Sequence, residues 1–175
     1  VISGPDQQPT VLWNAMVAPY APYALRGLIW YQGCHNASEP HRYASKMHAL
    51  YAGWAKEFAN PELELYFVSL APYKMSWFDI QQAQQRYADE EPHAALVISC
   101  DVGNPRDVHP NDKRTIAHRL AAHALKRVYG FTHLENESPR VKSATASDGT
   151  VTLRFAHAKK LYFYNVPRVR PDGFE

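Results

Sequence analysis

Gly27-Leu28-Ile29-Trp30-Tyr31-Gln32-Gly33-Cys34-His35-Asn36 sets a short unbroken apolar run ahead of a Gln-Gly pair. Four to five apolar residues are too few for a core helix. Their branched and aromatic content predicts a strand buried on both faces, as in a parallel sheet. Downstream, Tyr43, Met47, Leu50, Tyr51, Trp54 and Phe58 recur at three- or four-residue steps. They predict one apolar stripe on a helix that starts near Pro40 and stops near Asn60-Pro61. Residues 65–70 read as a second buried strand. Ser76 or Asp79 opens a polar helix through Gln85, with Ile80, Ala83 and Tyr87 on one side. Residues 94–100 read as a third strand. Asn111 or Asp112 caps a last helix that turns Ile116, Leu120, Ala124 and Val128 inward and closes at Gly130. Upstream, residues 1–10 read as a loop and residues 11–23 as a short helix weakened by Pro19 and Pro22.

Strand and helix alternate three times, which predicts an α/β fold with a parallel sheet covered by helices. Ligands of such sheets sit beyond the carboxyl ends of the strands, so segments 32–36, 71–77 and 101–110 are the places to look for chemistry. After Phe131 the texture changes. Residues 141–155 alternate around Ser147-Asp148-Gly149, a hairpin signal, and residues 161–164 read as a further strand. The expected organisation is an α/β domain over 1–135 and the start of a β-rich domain over 139–175.

A net charge of +2 is too small to imply nucleic acid or another polyanion as partner. No run of about 18 apolar residues exists, so no membrane span is expected. Cys34 and Cys100 each end an apolar run and are expected to be free, mostly buried thiols. With no HExxH or CxxC pair, neither a metal nor another cofactor is expected. Asn36-Ala37-Ser38 and Asn136-Glu137-Ser138 fit the glycosylation sequon, which matters only in a secreted eukaryotic chain.

Two segments carry candidate chemistry. Gln32 and Gly33 end a buried strand, where an amide side chain and an unhindered N–H suit an oxyanion. Equally, Gly33 makes a turn and Gln32 satisfies loop backbone. His109 stands between the third strand and the capped helix, with Pro110 behind it. A nearby acid, Asp107 or else Asp101, would bind its Nδ1–H and steady an imidazolium; the alternative is an ordinary surface loop. His35 lies close enough to touch a substrate, and Cys34 is a candidate nucleophile with His109 as base. Trp13, Trp30, Tyr73, Trp77 and Phe78 are candidates to stack on sugars, or are core.

Together these segments resemble the sialate O-acetylesterase family, a branch of the SGNH hydrolases. The resemblance runs from about residue 1 to 131. It rests on Pro9-Thr10-Val11-Leu12-Trp13-Asn14-Ala15-Met16-Val17-Ala18-Pro19, on residues 27–36, on Gln82-Ala83-Gln84, and on residues 101–121, which open with Asp101-Val102-Gly103 and contain Asp107-Val108-His109-Pro110. It implies a flavodoxin-like three-layer α/β/α sandwich and hydrolysis of acetyl esters on sugars, sialic acid or related glycans, through an acyl-serine. Acetylxylan or another plant polysaccharide is the alternative substrate, and a non-catalytic sugar-binding relative the alternative function. His109 would be general base and then general acid, with Asp107 its orienting partner. Gln32 and Gly33 would form the oxyanion hole, with Asn36 close by. The implied setting is secreted, periplasmic or lysosomal.

The sequence departs from the family pattern in three ways. Cys34 and His35 replace the usual Glu and Ser, and Asp107 precedes His109 by two residues where three is common. A Gly-Gln-Ser-Asn-Met-like nucleophile motif is absent, and Ser3 has neither that motif nor a strand before it. The expectation is a longer polypeptide, with about 100 or more further residues upstream supplying the first strand and the serine.

Overall fold

A computed structural model of the chain describes residues 4, 8–21 and 23–158. Two compact units are present, Val1–Asn136 and Glu137–Glu175. The strand expected at 161–164, and Ser3, lie outside the described residues.

The first unit is built on a parallel sheet of β1 (Gly27–Trp30), β2 (Glu64–Val68) and β3 (Ala94–Val97), in the order β1-β2-β3. Ahead of it lie α1 (Val11–Met16) and a 3-10 turn, Ala18–Tyr20, where Pro19 stops the helix. Helices α2 (Tyr43–Glu57) and α3 (Phe78–Glu90) make the two crossovers, and α4 (Lys113–Arg127) follows β3.

Side-chain alternation along β2 assigns the layers. Leu65 and Phe67 point into a core with Tyr43, Met47 and Tyr51 of α2 and Ile80, Ala83 and Tyr87 of α3. Tyr66 and Val68 point the other way, against Ile116 and Leu120 of α4, together with Ala95 and Val97. The result is a three-layer α/β/α arrangement, as the alternating pattern predicts. Truncating Phe67, which is fully buried, would cost about 3–5 kcal/mol.

The elements differ from expectation at their ends, for physical reasons. Beyond Val68 the Ser69 N–H still donates to the Val97 carbonyl, but the Leu70 N–H donates to Gln84 Oε1, and Gln84 Nε2 donates to the Val68 carbonyl, so strand β2 stops there. Strand β3 stops at Val97 instead of Cys100. There Ser99 N–H donates to Ser69 Oγ at 3.0 Å, and Ser99 Oγ donates to the Ser69 carbonyl at 2.7 Å. Helix α3 runs five residues past Gln85, since no breaker precedes Pro92 and Tyr87 continues its buried face. On α4, His123 is buried against the Tyr66 ring, whereas Val128 is half-buried.

Two expectations are corrected. Strand β1 is not buried on both faces: Leu28 and Trp30 pack on the core with α2 and α3, but Ile29 is 68% exposed. The cause is that α4 packs on β2 and β3, leaving that face of β1 uncovered. The thiols are free, but they are exposed rather than buried. Neither ends a strand: Cys34 opens a 3-10 turn after β1, and Cys100 falls in the turn after β3.

The second unit contains an antiparallel hairpin, β4 (Arg140–Ser147) with β5 (Thr150–Ala156). Asp148 and Gly149 both take positive φ, 51° and 72°, as a two-residue turn matching strand twist requires. Among the described residues no helix is long and apolar enough to cross a membrane.

Candidate active site

The carboxyl ends of all three strands open onto one cavity of about 250 Å³. The β1 end contributes Tyr31, Gln32, Gly33, Cys34 and His35, and the β2 end Leu70, Ala71 and Trp77. The β3 side contributes Val108, His109, Pro110 and Lys113. Gln32, Gly33 and His109, singled out on separate stretches of sequence, therefore share one wall-to-wall space.

Gly33 is buried at φ 154°, a conformation that side-chain-bearing residues rarely adopt. A Cβ there would also press on Gln84 Nε2 and Leu70 Cδ2, both at 3.3 Å. Its carbonyl accepts the Asn36 N–H at 2.8 Å, closing the 3-10 turn Cys34–Asn36. Its own N–H donates to no group among the described residues.

Gln32 is held at both ends. Its side-chain Nε2 donates to Asn36 Oδ1 at 2.7 Å, and Asn36 Nδ2 donates to Glu39 at 3.2 Å. Glu39 is ion-paired to Lys46, which holds its carboxyl below the usual carboxylate range. Asn36 thus sits behind Gln32 rather than on the cavity wall. The Gln32 carbonyl accepts the Tyr43 hydroxyl at 3.0 Å and Gln84 Nε2 at 3.3 Å.

The His109 side chain is 86% exposed at the cavity mouth. Its backbone N–H donates to Asp107 Oδ1 at 2.8 Å, and its Nδ1 stands 3.6 Å from the same oxygen. Asp101 is engaged elsewhere. Both its oxygens accept from Arg119, at 2.7 and 2.6 Å, and this guanidinium holds the carboxyl below its ordinary value. Arg119 also donates to the Ile98 carbonyl, tying the start of the histidine loop to α4. Asp112 caps α4 by accepting the Thr115 N–H at 2.9 Å.

Cys34 reaches solvent, but partial burial pushes its thiol up from the ordinary value. Of the five aromatic candidates only Trp77 lines the cavity; Trp13 packs edge-on against Trp54, and Trp30 supports the core. Tyr73 stacks on Trp77 with centroids 6.2 Å apart.

Three features escaped the sequence reading. Gln84 is wholly buried and joins the ends of β1 and β2, and its place in Gln82-Ala83-Gln84 was the available signal. Gly103 abuts the β2 loop: a Cβ there would lie 2.4 Å from Pro72 Cδ. Lys113 places its ammonium 4.8 Å from the centre of the Tyr31 ring on the cavity wall, whose described residues include no Asp or Glu.

A family model described as carbohydrate esterase, sialic acid-specific acetylesterase, matches residues 7–126. The sialate O-acetylesterase of Rattus norvegicus is 30% identical over 164 residues, covering 81% of this chain and 30% of the relative. That of Mus musculus is 27% identical over 179 residues, covering 88% and 33%. Among solved structures, a carbohydrate acetylesterase from Xanthomonas citri superposes with a TM-score of 0.75 at 32% identity, over 87% of this chain and 37% of that one. The chain spans about a third of the length of these relatives.

Proposed function

The chain belongs to the sialic acid-specific acetylesterase family of carbohydrate esterases, and from that premise we propose that it carries the oxyanion hole and general base of an enzyme cleaving acetyl esters on sugar hydroxyls. The observation that carries this reading is the meeting of Gln32, Gly33 and His109 around one cavity at the carboxyl rim of the sheet.

In this mechanism a serine hydroxyl adds to the acetyl carbonyl and passes its proton to His109 Nε2. The Gly33 N–H and the Gln32 amide receive the negative oxygen, and loss of one such donor would raise the barrier by about 3–4 kcal/mol. Collapse of the tetrahedral adduct releases the sugar, whose oxygen takes the proton from His109, and leaves an acetyl-serine. Water then repeats the sequence and releases acetate. Asp107 is the orienting acid, because Asp101 is bound to Arg119.

Among the described residues no serine lines the cavity. We assign the nucleophile to another part of the same polypeptide, upstream, which would also pair with β1. Support comes from an apolar groove beside β1 that includes Ile29, Tyr66, Leu120, Ala124 and Val128, which a further parallel strand would cover. The span of a third of the relatives' length points the same way. A partial hydrolase domain over 1–135 and a β-rich domain beginning at 139 belong to the same proposal. Lys113, on a wall whose described residues include no carboxylate, favours an acidic sugar such as sialic acid over neutral xylan.

The test is acetate release by the full-length polypeptide. O-acetylated sialic acid should be turned over faster than acetylated xylan. A full-length protein with no Gly-Gln-Ser-Asn-like motif and no acetate release on either would instead be a sugar-binding relative.

A further inference from the structure

We infer that Tyr43 and Gln84 are positioning residues that aim the Gly33 N–H into the cavity by gripping the other edge of its peptide plane. This rests on the esterase reading above and assigns two residues to it.

The argument starts from the peptide bond. The carbonyl of Gln32 and the N–H of Gly33 belong to one planar unit, and no cis peptide is present among the described residues. In a trans peptide the C=O and N–H point in opposite directions, so whatever fixes the carbonyl fixes the line of the N–H. Here the carbonyl has two donors. The Tyr43 hydroxyl reaches it at 3.0 Å from the first turn of α2, and Gln84 Nε2 at 3.3 Å from α3. Both side chains are buried, at 2% and 0% exposure. On the opposite edge the Gly33 N–H is unclaimed among the described residues, and Gly33 lines the cavity.

The grip is needed because position 33 is glycine. With no Cβ, rotation of the 32–33 peptide meets little steric resistance, and an N–H free to turn is a poor oxyanion donor. Gln84 is itself pinned, accepting the Leu70 N–H at 3.1 Å and donating to Val68, so its amide orientation is set. Hydrogen bonds at the carbonyl also polarise the unit and make its N–H a stronger donor.

The test uses the full-length polypeptide with O-acetylated sialic acid. Tyr43→Phe removes one hydroxyl and little volume. It should lower kcat about tenfold while KM stays within about twofold, since the donor acts on the transition state. Tyr51→Phe is the control: it lies on the same helix and loses a hydrogen bond to the Pro61 carbonyl away from the cavity. It should leave kcat unchanged. Gln84→Leu should lower kcat further where it folds, and Tyr43→Phe decides the matter where it does not. An unchanged kcat in Tyr43→Phe, or an equal fall in Tyr51→Phe, would overturn the inference. A second readout needs no turnover: the Gly33 amide ¹⁵N resonance should move in Tyr43→Phe and stay in Tyr51→Phe. Absence of turnover in the parent protein counts against the esterase reading, whereas a Gly33 resonance unmoved by Tyr43→Phe counts against the positioning role.

Discussion

Asp107 Oδ1 holds His109 by its backbone, at 2.8 Å from the amide nitrogen, while the imidazole Nδ1 waits 3.6 Å from the same oxygen. The carboxylate therefore fixes where the histidine sits before it fixes the ring. A small rotation of the ring would complete the second bond, as catalytic hydrogen bonds often tighten only with substrate bound. In the full-length polypeptide, His109→Ala should lower kcat more than about a thousandfold with folding intact. Asp107→Ala should lower it about a hundredfold, and Asp101→Asn far less. Near-normal turnover in His109→Ala would remove it from the mechanism.

The Asp101–Arg119 pair predicts a pH dependence of stability. Arg119 depresses the Asp101 carboxyl in the folded state. A depressed carboxyl adds stability that is fully present above its unfolded pKa, near 4, and is lost as pH falls through the folded value. Solvent reaches about half of Asp101, which holds the pair to about 1 kcal/mol or less. Asp101→Asn should thus lower the melting temperature at pH 7, and the gap to the parent should close as acidification carries the folded-state carboxyl through its depressed titration. A gap independent of pH would sink this account.

The histidine loop leans on the β2 loop through Gly103. An added Cβ would meet Pro72 Cδ at 2.4 Å, N at 2.7 Å and O at 2.9 Å, which are backbone and ring atoms with no rotamer to retreat to. Gly103→Ala should therefore push the two loops apart, costing about 1–3 kcal/mol in stability. Activity should fall at least tenfold at temperatures where the variant is fully folded, because His109 moves with its loop. A melt and a kcat measured together check both.

Lys113 should act on recognition and not on chemistry. It stands over Tyr31 on a cavity wall whose described residues include no carboxylate. Lys113→Ala should raise KM for O-acetylated sialic acid about five- to tenfold and leave kcat within about twofold. Hydrolysis of a neutral acetyl ester should be indifferent to the change. An equal effect on both substrates would assign Lys113 to the fold of the α4 entry.

Much of this was legible because it depends on local pattern. The stripe from Tyr43 to Phe58 and the cap at Asp112 are set by side-chain spacing along one element, and both stand as expected. The Asp148-Gly149 turn is likewise a two-residue property. What failed to read out depends on partners distant in sequence. Ile29 looks like a buried strand residue in any local window; only the position of α4 over β2 and β3 leaves it bare. Gln84 looks like a polar helix residue until the ends of β1 and β2 close around it. The shared cavity follows from parallel strands that end on one rim, which the alternation of elements did predict, so segments 32–36, 71–77 and 101–110 could be picked out as the places to look. The engagement of Asp101 could not be read from its surroundings in sequence, because it turns on Arg119, 18 residues away.

Cys34 offers the sharpest contrast between position and chemistry. It lines the cavity beside Gly33, on the same wall system as His109, and solvent reaches it, so its place alone suits a nucleophile. Its protonation state does not. Partial burial pushes the thiol up, and its own backbone N–H only partly offsets this. A raised thiol keeps its proton at pH 7, whereas attack requires the thiolate. Cys34→Ala should therefore keep turnover within about threefold in the full-length polypeptide. Alkylation of Cys34 by iodoacetamide should be slow at pH 7 and accelerate through pH 9 and above. Loss of turnover in Cys34→Ala, together with fast alkylation at neutral pH, would make the protein a thiol hydrolase and give the nucleophile's role to Cys34.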